Sequence, residues 1–127
     1  MKRKLVIASA LLLATAVGGG WALSQSQDDP LDPLRVAPDT HKVAFENKFV
    51  RVLEVHVPPG KVEPRHRHPH GVTVYLNDWD ATVTVDGSQP ESHHRKAGSF
   101  AWSEALIHVV ENTGTVEGHV LRIELKL

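Results

Sequence analysis

From Lys42 to the end of the chain, apolar and polar residues exchange places at every second position in short runs, and no stretch of about ten residues carries a helical stripe. That pattern, broken at intervals by turn residues, belongs to an all-β sandwich or barrel. In the last run Leu121, Ile123, Leu125 and Leu127 alternate with Arg122, Glu124 and Lys126, so the aliphatic residues are expected in a core and the charged ones in water. Ala81, Val83 and Val85 alternate with Thr82 and Thr84, and Asp86-Gly87 then offers a hairpin turn to a polar return strand, Glu91 to Lys96. Phe49 to Val57 closes at Pro58-Pro59-Gly60, Val72 to Leu76 closes at Asn77-Asp78, and Leu106 to Val110 is a further apolar run. About eight strands are expected in all.

The N-terminal part reads differently. Lys2, Arg3 and Lys4 precede the uncharged stretch Leu5 to Leu23, the layout of a secretory signal. Ala22 and Ser24 offer a cleavage site before Gln25; left uncleaved, the same stretch is a membrane anchor helix. Either way the remainder is expected outside the cytoplasm, in the periplasm of a Gram-negative host. Residues 1–24 are therefore read as signal peptide or membrane anchor, 25–39, with Pro30, Pro33 and Pro38, as linker, and 40–127 as the folded domain. The chain has 14 basic and 15 acidic side chains and no basic stripe, which argues against nucleic acid as a partner. With no cysteine, any metal must be held by nitrogen or oxygen.

Nine of the 127 residues are histidine. His66 and His68 are two apart, so on a strand both imidazoles leave the same face, with Cα atoms roughly 6.5 to 7 Å apart, close enough to converge on one ion. His108 lies in the apolar run Leu106 to Val110, where an unpaired imidazole needs a partner, and is the candidate third ligand from another strand. His70 is a candidate fourth ligand, a group bonded to a ligand, or a loop residue facing solvent. At most one of His93 and His94 points inward, while His41, His56 and His119 are expected at strand ends or on the outer surface. Tyr75, Trp79, Phe100 and Trp102 are candidates for a pocket mouth or for packing. Glu104 is a candidate acid or base or an exposed loop carboxylate, and Asn112 is expected to bond backbone at a turn.

Gly60, five residues, then His66-x-His68 resembles the first motif of the cupin superfamily, and Gly98 followed by His108-x-x-x-Asn112 resembles the second, with Glu104 and Leu106 where proline and glycine are usual. The resemblance implies a jelly-roll β-barrel, one divalent metal ion (iron, manganese or zinc) held by histidines of both motifs, and a tendency to form homodimers. It also implies a glutamate ligand four or five residues after His68, where this chain has Val72 and Thr73. If strand parity runs unbroken from His66, Val72 fills that position and lines the pocket; Pro69 and Gly71 can break the parity. A three-histidine site is neutral and leaves the ion open positions for a small-molecule ligand. Three functions fit: an oxygenase, isomerase or lyase on a small organic substrate; a non-catalytic periplasmic module that binds a small ligand or metal; or an interaction domain that binds metal weakly.

Overall fold

The computed structural model describes residues 28–127, so the signal or anchor segment, residues 1–24, lies outside the described residues. Among the described residues no helix is long and apolar enough to cross a membrane. In the described residues one helical turn, α1 (Pro33–Val36), precedes nine strands: β1 (His41–Glu46), β2 (Val50–Val57), β3 (Val62–His68), β4 (Gly71–Tyr75), β5 (Trp79–Val85), β6 (Glu91–Arg95), β7 (Phe100–Ser103), β8 (Leu106–Asn112) and β9 (Gly118–Leu125). They form two sheets, ordered β1-β2-β9-β4-β7 and β3-β8-β5-β6, and every strand pairing is antiparallel. The two motif glycines, Gly60 and Gly98, have φ of 77° and 79°, the left-handed region that only glycine enters without cost, and each turns the chain toward a strand that borders the cavity.

The core is built by Leu53, Val55 and Val57 of β2, Tyr75 of β4, Trp79 and Ala81 of β5, Val110 of β8 and Val120 of β9. Burying each large apolar side chain contributes about 1.5–3 kcal/mol. On β2 burial alternates strictly, with Arg51, Leu53, Val55 and Val57 inward.

β9 also alternates, but in the opposite phase to the one expected from hydropathy. Arg122 and Glu124 are 5% and 2% exposed, while Leu121, Ile123 and Leu125 are half-buried on the outer face. The reason lies in what the inward charges meet. Glu124 is opposite Arg51 in the β2–β9 ladder and accepts from its Nε at 2.6 Å, and Arg122 donates to Thr73 Oγ1 and the Pro69 carbonyl at 3.2 and 2.6 Å. Charge that is paired or hydrogen-bonded can be buried, and here it displaces the aliphatic residues to the other face.

The segment read as linker is, from Asp29 onward, part of the domain. Asp32 is buried, accepts from the Leu34 amide at 2.9 Å as the N-cap of α1, and pairs through Oδ2 with Arg51 at 2.8 Å. Leu31 accepts from the Arg67 amide at 2.8 Å. Pro33 occupies the first helical position, where its missing N–H costs nothing, so the prolines punctuate structure here. The His41 amide bonds back to Ala37 at 3.1 Å, which fixes where β1 begins.

Candidate metal centre

His66 and His68 lie on β3, both buried, and the β3–β8 register sets His66 directly opposite His108. Their Nε2 atoms are 3.0 Å apart. The fourth imidazole is one that sequence reasoning assigned to a strand end or the surface: His41 opens β1, but it is 3% exposed and packs against His66 and His68, with ring centroids 5.1 and 5.8 Å away. Nitrogens of His41, His66 and His68 all come within 4.8 Å of one another. His108 approaches from the other strand, its ring 4.6 Å from that of His66 and 5.3 Å from that of His68. His66 and His68 thus belong both to this group and to the trio expected from the sequence, with His41 and His108 on either side.

Three of these rings are held by their outer nitrogen. His66 Nδ1–H donates to the Pro64 carbonyl and His68 Nδ1–H to Glu124 Oε1, each at 2.7 Å. His41 Nδ1–H donates to Thr40 Oγ1 at 2.9 Å, and that hydroxyl donates on to the Ala37 carbonyl at 3.2 Å. This tautomer leaves Nε2 of each ring as a lone pair. A carboxylate behind a histidine, as Glu124 stands behind His68, orients the ring and raises its basicity as a ligand.

Burial also keeps the rings neutral. It lowers His66, takes His68 well below the ordinary histidine range, and brings His41 to about 4 and His108 to about 2, with neighbouring histidines adding to the effect at His41, His68 and His108. Neutral imidazole is the form that binds metal. The 3.0 Å between His66 Nε2 and His108 Nε2 is a hydrogen-bond distance, so with His66 protonated on Nδ1 the His108 Nε2–H donates to the His66 lone pair.

The histidines face a cavity of about 250 Å³ between the two sheets, lined also by Tyr75, Trp79, Trp102, Thr73 and Arg122. Tyr75 is thus buried at the cavity, whereas Trp102 borders it with a side chain that is 53% exposed and in register with Val72 on the outer face. Val72 does not line the cavity: the chain breaks step between β3 and β4, so Thr73 and Tyr75 face inward and Val72 pairs with Trp102 and Ile123 on the outer face. The position open to the missing glutamate is therefore held by Thr73. His70 does not join the cluster; its ring stacks on Trp102 at 5.8 Å. Glu104 is exposed, accepts from Trp102 Nε1 at 3.1 Å and does not line the cavity. Phe100 is 75% exposed, while His93 lines the cavity and His94 bonds Asp80 outside it. Asn112 bonds backbone, donating to the Val57 and Val116 carbonyls.

Sequence reasoning missed His41, Glu63, Arg122 and Glu124. Glu63 stands three residues before His66, which by strand parity puts it on the other face; a register shift between the two brings both inside. The Glu63 carboxyl is buried in the cavity, 3.6 Å from His41 Nδ1, and burial raises it to about 7. For Arg122 and Glu124 a usable signal existed, since aligning β2 against β9 sets Arg51 opposite Glu124.

A second histidine group lies on the outer face. His56 and His119 are paired across β2 and β9, their rings stack at 4.0 Å, and the Nε2 atoms lie 3.2 and 2.8 Å from Glu54 Oε1. All three side chains are a third to nearly half exposed.

No protein-family model and no curated protein matches this sequence. Solved structures do. A cupin domain from Bordetella pertussis Tohama I is 25% identical with a TM-score of 0.64, covering 68% of this chain and 92% of that one. An RmlC-like cupin family protein with a double-stranded β-helix fold from Methanocaldococcus jannaschii is 14% identical with a TM-score of 0.56, covering 67% and 77%. A Klebsiella pneumoniae protein with a double-stranded β-helix domain is 22% identical with a TM-score of 0.56, covering 68% and 75%. With its two antiparallel sheets and both histidine motifs at one cavity, this chain is a small domain of the cupin superfamily.

Proposed function

We propose that this cupin works outside the cytoplasm, holds one divalent ion between His66, His68, His108 and His41, and acts as an oxygenase, isomerase or lyase on a small organic molecule admitted to the cavity. The observation that carries the proposal is the preparation of the ring nitrogens: buried neutral imidazoles, three of them anchored from behind, meet at the wall of the cavity between the sheets. Such an ion supplies Lewis acidity and, if it is iron, redox chemistry. Because every ligand is neutral, it keeps its full charge for the substrate. Glu63 favours turnover over mere capture, since it sets a buried carboxyl, a group able to move protons, at the wall of the same cavity. Export rests on residues 1–24. A homodimer would use the row Phe45, Val52, Ile123, Val72 and Trp102, which runs unbroken across the outer face of the five-stranded sheet.

Elemental analysis of protein exported by its own leader tests the proposal. About one ion per chain is expected, falling below about one-tenth in a folded His66→Ala, His68→Ala variant. A wild-type content below one-tenth would overturn it. An ion without turnover of any carbonyl or hydroxy acid offered would leave capture as the function.

A further inference from the structure

Arg122 and Arg51 are both buried arginines on the inner face of the five-stranded sheet, and their surroundings differ in one respect. Arg51 is held by two carboxylates, Glu124 at 2.6 Å and Asp32 at 2.8 Å. Arg122 forms no salt bridge with any described residue. Its Nη atoms donate to the neutral Thr73 hydroxyl and Pro69 carbonyl, and its Nε–H, fully buried, has no partner among the described residues, as Arg51 Nη1 has none. A guanidinium with 5% exposure and no carboxylate within ion-pair distance is costly to bury, and an anionic ligand would supply the missing partner.

Other groups at the cavity point the same way. Ser103 Oγ and Trp79 Nε1 are buried, line the cavity and have no hydrogen-bond partner. An indole N–H can only donate, and a hydroxyl can donate, so these groups and Arg122 share the lack of an acceptor, while Glu63 Oε1, also buried and unpartnered at the cavity, lacks a donor. Arg95 adds a second positive charge at the wall, 4.9 Å from the centre of the Tyr75 ring. Along β9, Arg122 is two residues from Glu124, whose carboxylate grips His68, so the guanidinium and the histidine cluster occupy neighbouring positions on one inner surface.

We propose that the cavity takes a small organic acid, its carboxylate paired with Arg122 and a second oxygen turned toward the histidine cluster. This rests on the metal reading above for the second oxygen only; the carboxylate contact stands on Arg122 itself. Recognition of this kind rejects the neutral analogue, because an uncharged amide leaves the guanidinium as unpaired as it was.

The test uses the full chain, as purified and after removal of metal by a chelator, titrated by calorimetry with pyruvate and with pyruvamide. Pyruvate is expected to bind at least about tenfold more tightly than pyruvamide in both forms of the protein, more tightly overall when the ion is present. Arg122→Gln is expected to abolish the preference while ion content stays unchanged. Should that variant not fold, Arg122→Lys, which keeps the charge but loses the planar fork, is expected to weaken pyruvate without affecting pyruvamide. Equal binding of acid and amide by the wild-type protein, or a preference that survives in folded Arg122→Gln, would overturn the assignment. If the protein carries no ion yet the metal-free form still prefers pyruvate, the metal reading fails and the carboxylate site stands.

Discussion

The two faces of β9 use the same kinds of residue to opposite ends. Inward, Glu124 grips His68 and Arg51 under almost complete burial; outward, His119 stacks on His56 over Glu54 with water close by. Both faces set histidine against a carboxylate at under 3 Å. They differ in what the arrangement costs and what it prepares. Inside, burial forces the rings neutral and ties down their outer nitrogens, so the remaining lone pairs are ready for an ion. Outside, water screens every charge, and such pairs contribute about 0–1 kcal/mol. The contrast shows that a histidine cluster becomes a site through the groups behind it.

The largest expected effect comes from breaking the inner face outright. Glu124→Ala leaves Arg51 with a single counter-ion and frees Nδ1 of His68, all within the core. A loss of about 3–5 kcal/mol is expected in urea unfolding of the metal-free protein. A loss below 1 kcal/mol would mean that Arg51 and Asp32 suffice without Glu124.

Acid tests the same face without mutation. In the unfolded chain histidine titrates near its ordinary value of 6.5, but folding lowers His41 to about 4 and also lowers His66, His68 and His108. Below about pH 6.5 the unfolded state therefore binds more protons, so stability falls with falling pH until the folded rings titrate. His41 alone is worth on the order of 3 kcal/mol across that window. Glu63 acts oppositely: its folded carboxyl titrates near 7 against 4.5 unfolded, so it favours folding as pH drops from 7 to 4.5. One carboxyl offsets about one histidine, and three histidines remain. The denaturation midpoint of the metal-free protein is thus expected to drop steadily from pH 7 to pH 5, and a flat profile would contradict the burial assigned to the cluster.

How far the sequence showed all this differs by level. Strand periodicity disclosed the barrel, and the two glycine-led motifs disclosed His66, His68 and His108 because spacing along and across strands is regular. Alternation on β9 was read correctly, but its phase was not, since hydropathy assumes that charge seeks water and cannot see Arg51 waiting opposite Glu124. Glu63 was hidden by a register shift and His41 by the packing of Asp32 to Ala37 against the barrel, both long-range features with no local mark. Val72 faces outward and His70 stays in the loop for one reason: the break between β3 and β4, at the Pro69 and Gly71 that can interrupt parity, resets which face the chain presents.

Glu124→Gln sharpens the comparison more gently. The amide can still accept from His68 Nδ1–H, but without the negative charge that strengthens the ring as a ligand. Metal affinity measured against a competing chelator is expected to fall about 10- to 100-fold while the fold persists. An unchanged affinity would reduce Glu124 to a partner of Arg51.

The smallest effect is expected on the outer face, where His56→Ala, His119→Ala removes both imidazoles beside Glu54. Geometry alone makes this trio a rival metal site, because its donor atoms converge as closely as those inside. What it lacks is support: side chains 45%, 33% and 42% exposed can rotate into water, and no buried group fixes the tautomer of either ring. Holding three mobile side chains on an ion costs rotamer entropy that the inner rings lost on folding. The double variant is therefore expected to stay within about 0.5 kcal/mol of the parent in stability and to retain the same ion content. If elemental analysis instead finds that the ion leaves with His56 and His119, convergence of donors outweighs their anchoring, and the metal belongs on the outer face of β9.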